Sequence, residues 1–463
     1  MTQSLPASDP GGWRPDAGDM RVVAVASATA DEEDKRLEFR SKRRTKTFTA
    51  GAGEHRQTVV VPPDVIAELH ALHESQKQKR VLGQAKELPD STIMKSWGPQ
   101  GTWFMHGKMP MHHEIPKHKR ATVVWPSCYS TDHIFHSCDV AAITSKGCKH
   151  RRDTSVGQDN FSISQLEDGW RVVCVMDGHG PNGHWPATRA AKTLPFFLRG
   201  ESCAAMLRHG QVKAALLHAF SLVQKDLEDM SARENISLQV SGCTAFCAVS
   251  NTLQQPDSVW VAFAGDSRAV LLVPGYGVVQ ETVDHKPTLP EERKRLEEMG
   301  CEIFSKTHPN GFVETRAYIK GERFPGLCMS RSLGDLLVKP CGVIAEPEVV
   351  EWRLEGFAGA SLLACSDGIW EFMENAEVAE TVLGSIGSGK SKMQALDRLL
   401  TDARRAWATN EGVYCDDITL VLMTIPASGG VDSSRYDQIS TTAIDAKMLG
   451  CGDPDSCITC SVS

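Results

Sequence analysis

The chain has 463 residues, 41% of them apolar, enough to bury one large core with an appendage or two ordinary domains. A net charge of −8 and a pI near 6.1 give no general attraction to nucleic acid, and no apolar run approaches the ~18 residues of a membrane span. The 15 cysteines, an odd number, and an N-terminus without a basic-then-apolar leader predict reduced thiols and a cytoplasmic or nuclear location.

Residues 1–60 are rich in Ser, Gly, Asp and Ala and carry a charge run from Asp31 to Lys46, acidic first and basic after. Such a stretch buries too little apolar surface to offset its ordering entropy, so it is predicted to be a disordered N-terminal segment. Residues 61–137 are predicted to be an extension with one short amphipathic helix, because Val65, Ile66, Leu69 and Leu72 recur at helical spacing. Between Trp97 and Lys119 four histidines (His106, His112, His113, His118) are interleaved with lysines and lack acidic or cysteine partners at ligand spacing, so an exposed loop is expected. Residues 138–426 are the predicted globular domain, and residues 427–463 a flexible tail with free cysteines Cys457 and Cys460.

Inside the globular span, short β-branched runs alternate with longer helical patterns. Trp170 to Met176, Val259 to Ala264, Ser361 to Cys365 and Ile418 to Met423 read as strands. Val212 to Met230 and Pro290 to Met299 read as helices, which predicts mixed sheets covered by helices. Each of those strands lies within two residues of an aspartate: Asp177, Asp266, Asp367, and the pair Asp416 and Asp417. Gln158-Asp159-Asn160 ahead of Phe161 adds a further acid. Carboxylates gathered from sequence-distant strands repel one another unless cations sit among them. Oxygen-only ligation favours Mg²⁺ or Mn²⁺ over zinc, and two such ions suit attack of water on a phosphate ester. No Cys-x5-Arg loop, nucleophilic Asp-x-Asp pair or Walker-type glycine loop supplies a competing phosphate chemistry.

Asp177-Gly178-His179-Gly180, Ser241 to Ala245, Gly265-Asp266-Ser267-Arg268, Asp284-His285-Lys286-Pro287, Met329 to Asp335, Ser366 to Trp370 and Asp416 to Thr419 stand in the order of the motifs of the metal-dependent protein phosphatase 2C family, which the sequence resembles from about Cys138 to Ile425. The resemblance implies an α+β fold, a four-layer α-β-β-α sandwich with two central antiparallel sheets flanked by helices. It implies a monomeric protein serine/threonine phosphatase acting on phosphoserine and phosphothreonine proteins with two Mg²⁺ or Mn²⁺ ions and a weaker third. By position, Asp177 and the Gly178 carbonyl, with Asp367 and Asp416, would hold the two ions, and Asp159 their water. His179 would be the general acid, and Asp266, Asp367 and Glu371 would line the third position. Arg152, chosen over Arg151 and Lys149, would clamp the phosphate, and Phe304, His308, Phe312, Arg316 and Arg323 would lie on a flap near the site, either to contact a phosphopeptide or as a solvated loop with a few packed aromatics. The Asp284 to Pro287 and Ser330 to Asp335 motifs are expected to stabilise fold and flap.

The sequence departs from the family pattern at Gln158, where Glu is usual, at Glu371 in place of Asp, and at Asp417 in place of Asn. Gln158 removes one carboxylate, which predicts weaker metal affinity without loss of activity, while the extra charge of Asp417 would either strengthen metal binding or face solvent. A second reading is a pseudophosphatase that binds phosphoproteins as a scaffold. A two-metal nuclease or small-molecule phosphatase is disfavoured by the acidic charge and the lack of a basic stripe in the globular span.

Overall fold

The computed structural model describes residues 88–98, 102–108, 122–124, 139–150, 153, 155–251, 253–307, 313–357 and 359–425. The predicted helix near Val65, the histidines from His112 to His118, Arg151, Arg152, His308, Phe312 and the tail lie outside these residues.

Two large sheets dominate. The first runs in the order Glu348–Arg353, Gln255–Ala264, Ala245–Asn251, Arg171–Met176, Asn160–Gln165, Trp103–Lys108, Thr122–Val124. The second runs Gly277–Glu281, Arg268–Val273, Ser361–Cys365, Ile418–Thr424, Val140–Ser145. Every strand pair in both is antiparallel, so the mixed sheets expected from strand patterning alone give way to the antiparallel arrangement that the family resemblance implied.

Side-chain parity explains the layering. Successive residues of a strand point to opposite faces, so in Arg171–Met176 the side chains of Val173 and Val175 meet Ala269, Leu271, Leu362 and Val421 of the second sheet. Val172 and Cys174 point the other way, onto Ala190, Leu194, Leu216 and Phe220 of the helices His184–Arg199 and Val212–Glu234. On the far side Val270, Leu363 and Leu420 pack against Val378, Leu396 and Leu399 of the helices Asn375–Gly387 and Lys392–Glu411. The central strands are covered on both faces, which is why Arg171–Met176, Ser361–Cys365 and Ile418–Thr424 read as nearly unbroken apolar runs. Each fully buried large side chain, such as Phe246 or Leu363, contributes about 1.5–3 kcal/mol by leaving water.

One expectation is corrected at the N-terminal side. Trp103–Lys108, predicted as loop, is a strand that pairs with Asn160–Gln165 in the first sheet. Its apolar residues alternate between faces: Phe104 stacks on Trp97 at 5.1 Å and joins the helical layer, while Met105 faces the second sheet. His106 is buried, with Nδ1 2.7 Å from the Gly107 carbonyl. The preceding helix Asp90–Lys95 is tied down by Arg189, which donates to Asp226 at 2.7 and 2.8 Å and to Asp90 at 2.5 Å. Part of the stretch read as an extension is therefore integral to the layered body. Among the described residues no helix is long and apolar enough to cross a membrane.

Candidate active site

Strand pairing brings the acids together. Asn160 pairs with Met176, so Asp159 and Asp177 sit at the same end of neighbouring strands. Val175 pairs with Phe246 and Ala245 with Ala264, which carries that end across to Gly265 and Asp266, where the chain crosses into the second sheet. There Arg268 pairs with Cys365 and Cys365 with Leu420, so Asp367, Asp416 and Asp417 close the same end.

The turn after Met176 is fixed by backbone contacts. Thr244 receives the Asp177 N–H at its Oγ1 (3.0 Å) and donates its own N–H to the Asp177 carbonyl (2.8 Å). A Cβ on Gly178 would stand 2.2 Å from the Gly183 carbonyl oxygen and 2.6 Å from that of Gln158, so only glycine lets these segments meet. Gly368 plays the same part beside Asp367, where a Cβ would stand 2.1 Å from the Asp417 carbonyl oxygen.

Asp159 is buried and accepts a 2.6 Å hydrogen bond from Ser366 Oγ. Burial first, and then the nearby carboxylates of Asp417 and Asp367, push its pKa up to about 8. Asp416 is 7% exposed, with Tyr414 Oη at 3.4 Å and the Asp417 N–H at 3.0 Å. Asp417, whose role the sequence left open, does not face solvent: its carboxylate accepts from the backbone N–H groups of Gly147 (2.7 Å) and Gln158 (2.6 Å). It anchors the loop that leads to Asp159.

Gln158 does something that Glu could not. Its Nε2 donates to the Gly180 carbonyl at 2.7 Å, holding the Asp-Gly-His-Gly turn, while Lys149 Nζ approaches its Oε1 at 3.4 Å. Asp266, Asp367 and Glu371, expected to share a position, line one cavity of about 480 Å³ beneath the hairpin strand Val313–Ile319. Asp266 is buried and ion-paired with Lys286. Burial lowers the Lys286 pKa, and the Asp266 charge outweighs it, leaving the ammonium firmly protonated.

Sequence reasoning missed one partner. His179 Nε2 lies 2.7 Å from Oδ2 of Asp335, a fully buried carboxylate that also accepts from Ser332 Oγ. Burial acts to raise the Asp335 pKa, and His179, Lys339 and Ser332 together outweigh it and hold it below the usual carboxylate range. The motif containing Asp335 was assigned to fold and flap; Glu292 does hold its Ser330 and Arg331, but Asp335 belongs to the site. Arg316 lies on the flap hairpin as expected, but it is buried and ion-paired with Glu314 at 2.9 Å, so the expectation that it contacts a phosphopeptide is corrected. Phe304 is 40% exposed, with the Arg323 guanidinium 4.7 Å above its ring.

Among the described residues no three His, Cys, Asp or Glu side chains close into a preformed cage. The acids instead stand at the same end of the two sheets. That donor set fits hard cations such as Mg²⁺, which keep several waters and take only one or two carboxylates from the protein. Crowded, poorly solvated carboxylates such as Asp159, Asp367 and Asp417 are stabilised by such a charge.

Residues 139–412 match the family model described as protein phosphatase 2C, so the chain belongs to that family. It is 32% identical over 298 residues to Probable protein phosphatase 2C 64 of Oryza sativa subsp. japonica, covering 62% of this chain and 66% of the rice protein. To Probable protein phosphatase 2C 41 of Arabidopsis thaliana it is 30% identical, covering 60% of this chain and 80% of the relative. In fold it is similar to the crystal structure of a serine-threonine phosphatase 2C from Toxoplasma gondii, with a TM-score of 0.51 at 20% identity, covering 62% of this chain and 94% of that one.

Proposed function

We propose that the protein is an active, Mg²⁺- or Mn²⁺-dependent phosphatase that hydrolyses phosphoserine and phosphothreonine esters in proteins. The observation that carries this reading is the gathering of Asp159, Asp177, Asp367, Asp416 and Asp417 at one end of two packed sheets. Asp177, the Gly178 carbonyl, Asp367 and Asp416 would hold two ions, with Asp159 orienting water among them. Bound there, the ions would supply a water of lowered pKa and offset the charge on the phosphoryl oxygens.

The chain's own residues do the rest. The Asp335 carboxylate steadies the His179 ring through Nε2 and favours its imidazolium form. That form has a proton to give to the departing serine or threonine oxygen. Arg152 would grip the phosphate as a two-pronged donor. Asp266, Asp367 and Glu371 would take a third ion weakly, since Lys286 already neutralises Asp266. The Gln158 amide, which adds no charge, favours the scaffold reading to a degree. The intact acids and the His179–Asp335 pair favour catalysis. Assay of the purified chain on a phosphoserine peptide with Mn²⁺, against the same assay in EDTA, separates the two; no metal-dependent phosphate release leaves the scaffold.

A further inference from the structure

We propose that Cys148 and Cys415 are a modification site, closing into a reversible disulfide when the protein meets hydrogen peroxide. The two residues face each other as an isolated antiparallel bridge: Cys148 N–H donates to the Cys415 carbonyl at 2.7 Å, and Cys415 N–H to the Cys148 carbonyl at 2.9 Å. A hydrogen-bonded antiparallel pair holds its Cα atoms about 5.5 Å apart, inside the range that disulfides span. Both side chains are half-buried, within reach of a small oxidant. Their thiols now point to nearby carbonyls, Cys148 Sγ to that of His150 at 3.2 Å and Cys415 Sγ to that of Asp416 at 3.4 Å, and side-chain rotation turns them toward each other.

Among the described residues the other close thiols are placed differently. Cys174 and Cys247 are directly paired across strands, but both are sealed in the core. Cys301, at the start of the flap strand Cys301–Thr307, is buried with its thiol in contact with that of the half-buried Cys341, but that pair does not flank the acids. The chemistry balances with peroxide alone. Its O–O bond breaks as the Cys148 sulfur takes one oxygen to become a sulfenic acid, releasing water. The Cys415 sulfur then displaces the sulfenic oxygen, which leaves as a second water with the remaining thiol proton.

The bridge bears on the acids because of what flanks it. Cys415 precedes Asp416 and Asp417, and Gly147, whose N–H holds Asp417, precedes Cys148. Gly147 is also jammed against this segment, where a Cβ would stand 2.2 Å from the Cys415 carbonyl oxygen. A disulfide needs Cβ atoms about 3.8 Å apart, closer than a hydrogen-bonded pair keeps them, so closure draws the two segments together and shifts the Asp417 contacts. The bridge stands without the phosphatase reading; only its effect on turnover rests on it.

The full chain is titrated with hydrogen peroxide, alkylated, digested and mapped by mass spectrometry, with Mn²⁺-dependent hydrolysis of p-nitrophenyl phosphate followed in parallel. The expected product is a Cys148–Cys415 cross-linked peptide, two hydrogens lighter than its reduced parts and cleaved by a thiol reductant. The Mn²⁺ concentration for half-maximal rate rises on the order of tenfold in the oxidised protein and recovers on reduction. Cys148→Ser shows neither change. Cys148 recovered alkylated, or oxidised without Cys415, or a Cys301–Cys341 bridge in its place, overturns the proposal. A Cys148–Cys415 bridge that leaves the Mn²⁺ requirement unmoved overturns its coupling to the acids. A bridge in a protein that never turns over supports the modification site and counts against the phosphatase reading.

Discussion

His179 and Asp335 lie 156 residues apart in the chain and meet, Nε2 to Oδ2, at 2.7 Å beside the acidic strand ends. Asp335 is sealed from solvent and held by Ser332, so its charge is directed at the imidazole. If His179 protonates the leaving oxygen, Asp335→Asn lowers kcat by roughly 10²-fold, within the range for loss of a positioned acid. Without the carboxylate the imidazolium is less favoured, so the basic limb of the kcat profile moves to lower pH. A pH–rate series on protein of unchanged circular dichroism checks both effects; an unshifted limb would assign Asp335 to the fold alone.

Gln158 offers a second test. Replacing it by Glu restores the residue common in the family but turns an amide donor into a carboxylate facing the Gly180 carbonyl. Gln158→Glu is expected to destabilise the metal-free protein by about 1–2 kcal/mol. Excess Mn²⁺ narrows that gap. Thermal unfolding in EDTA and in Mn²⁺ reads it, and a variant as stable as wild type in EDTA would contradict the account.

The ion cluster at Glu292 offers a third, pH-dependent test. Its buried carboxylate takes Arg295, Arg331 and Ser330. Burial raises its pKa, and those three partners outweigh it, driving it well below the ordinary 4.5. A depressed folded pKa means stability that is full above the unfolded value and lost as pH falls below it. Glu292→Gln is expected to cost about 2–3 kcal/mol near neutrality, with the difference from wild type shrinking below pH 4.5. Urea unfolding from pH 3 to pH 7 measures the gap; one that does not vary with pH would rule out this source.

The strands that position the site were legible because they are buried on both faces. Ser361 to Cys365 was read to the residue, and Ile418 to Met423 to within one. Trp103–Lys108 was obscured by His106 and Lys108, since a histidine satisfied by a backbone carbonyl resembles a polar loop residue in sequence. The acids at strand ends could be read, because a carboxylate after an apolar run stands out. Asp335 could not: nothing in its neighbourhood distinguishes a carboxylate that supports a turn from one that reaches a histidine on another strand. Nor could the ion pair that commits Arg316 to Glu314, two residues away on the same strand.

The central claim is that the acids at this sheet end carry phosphate-ester hydrolysis through hard cations. The most direct measurement is phosphate release from a phosphoserine peptide by wild type and Asp177→Ala, each with Mn²⁺ and with EDTA. The account predicts turnover in wild type that EDTA abolishes and Mn²⁺ restores, and a loss of roughly 10²–10³-fold in Asp177→Ala. Turnover that survives EDTA, or that Asp177→Ala leaves intact, would contradict it.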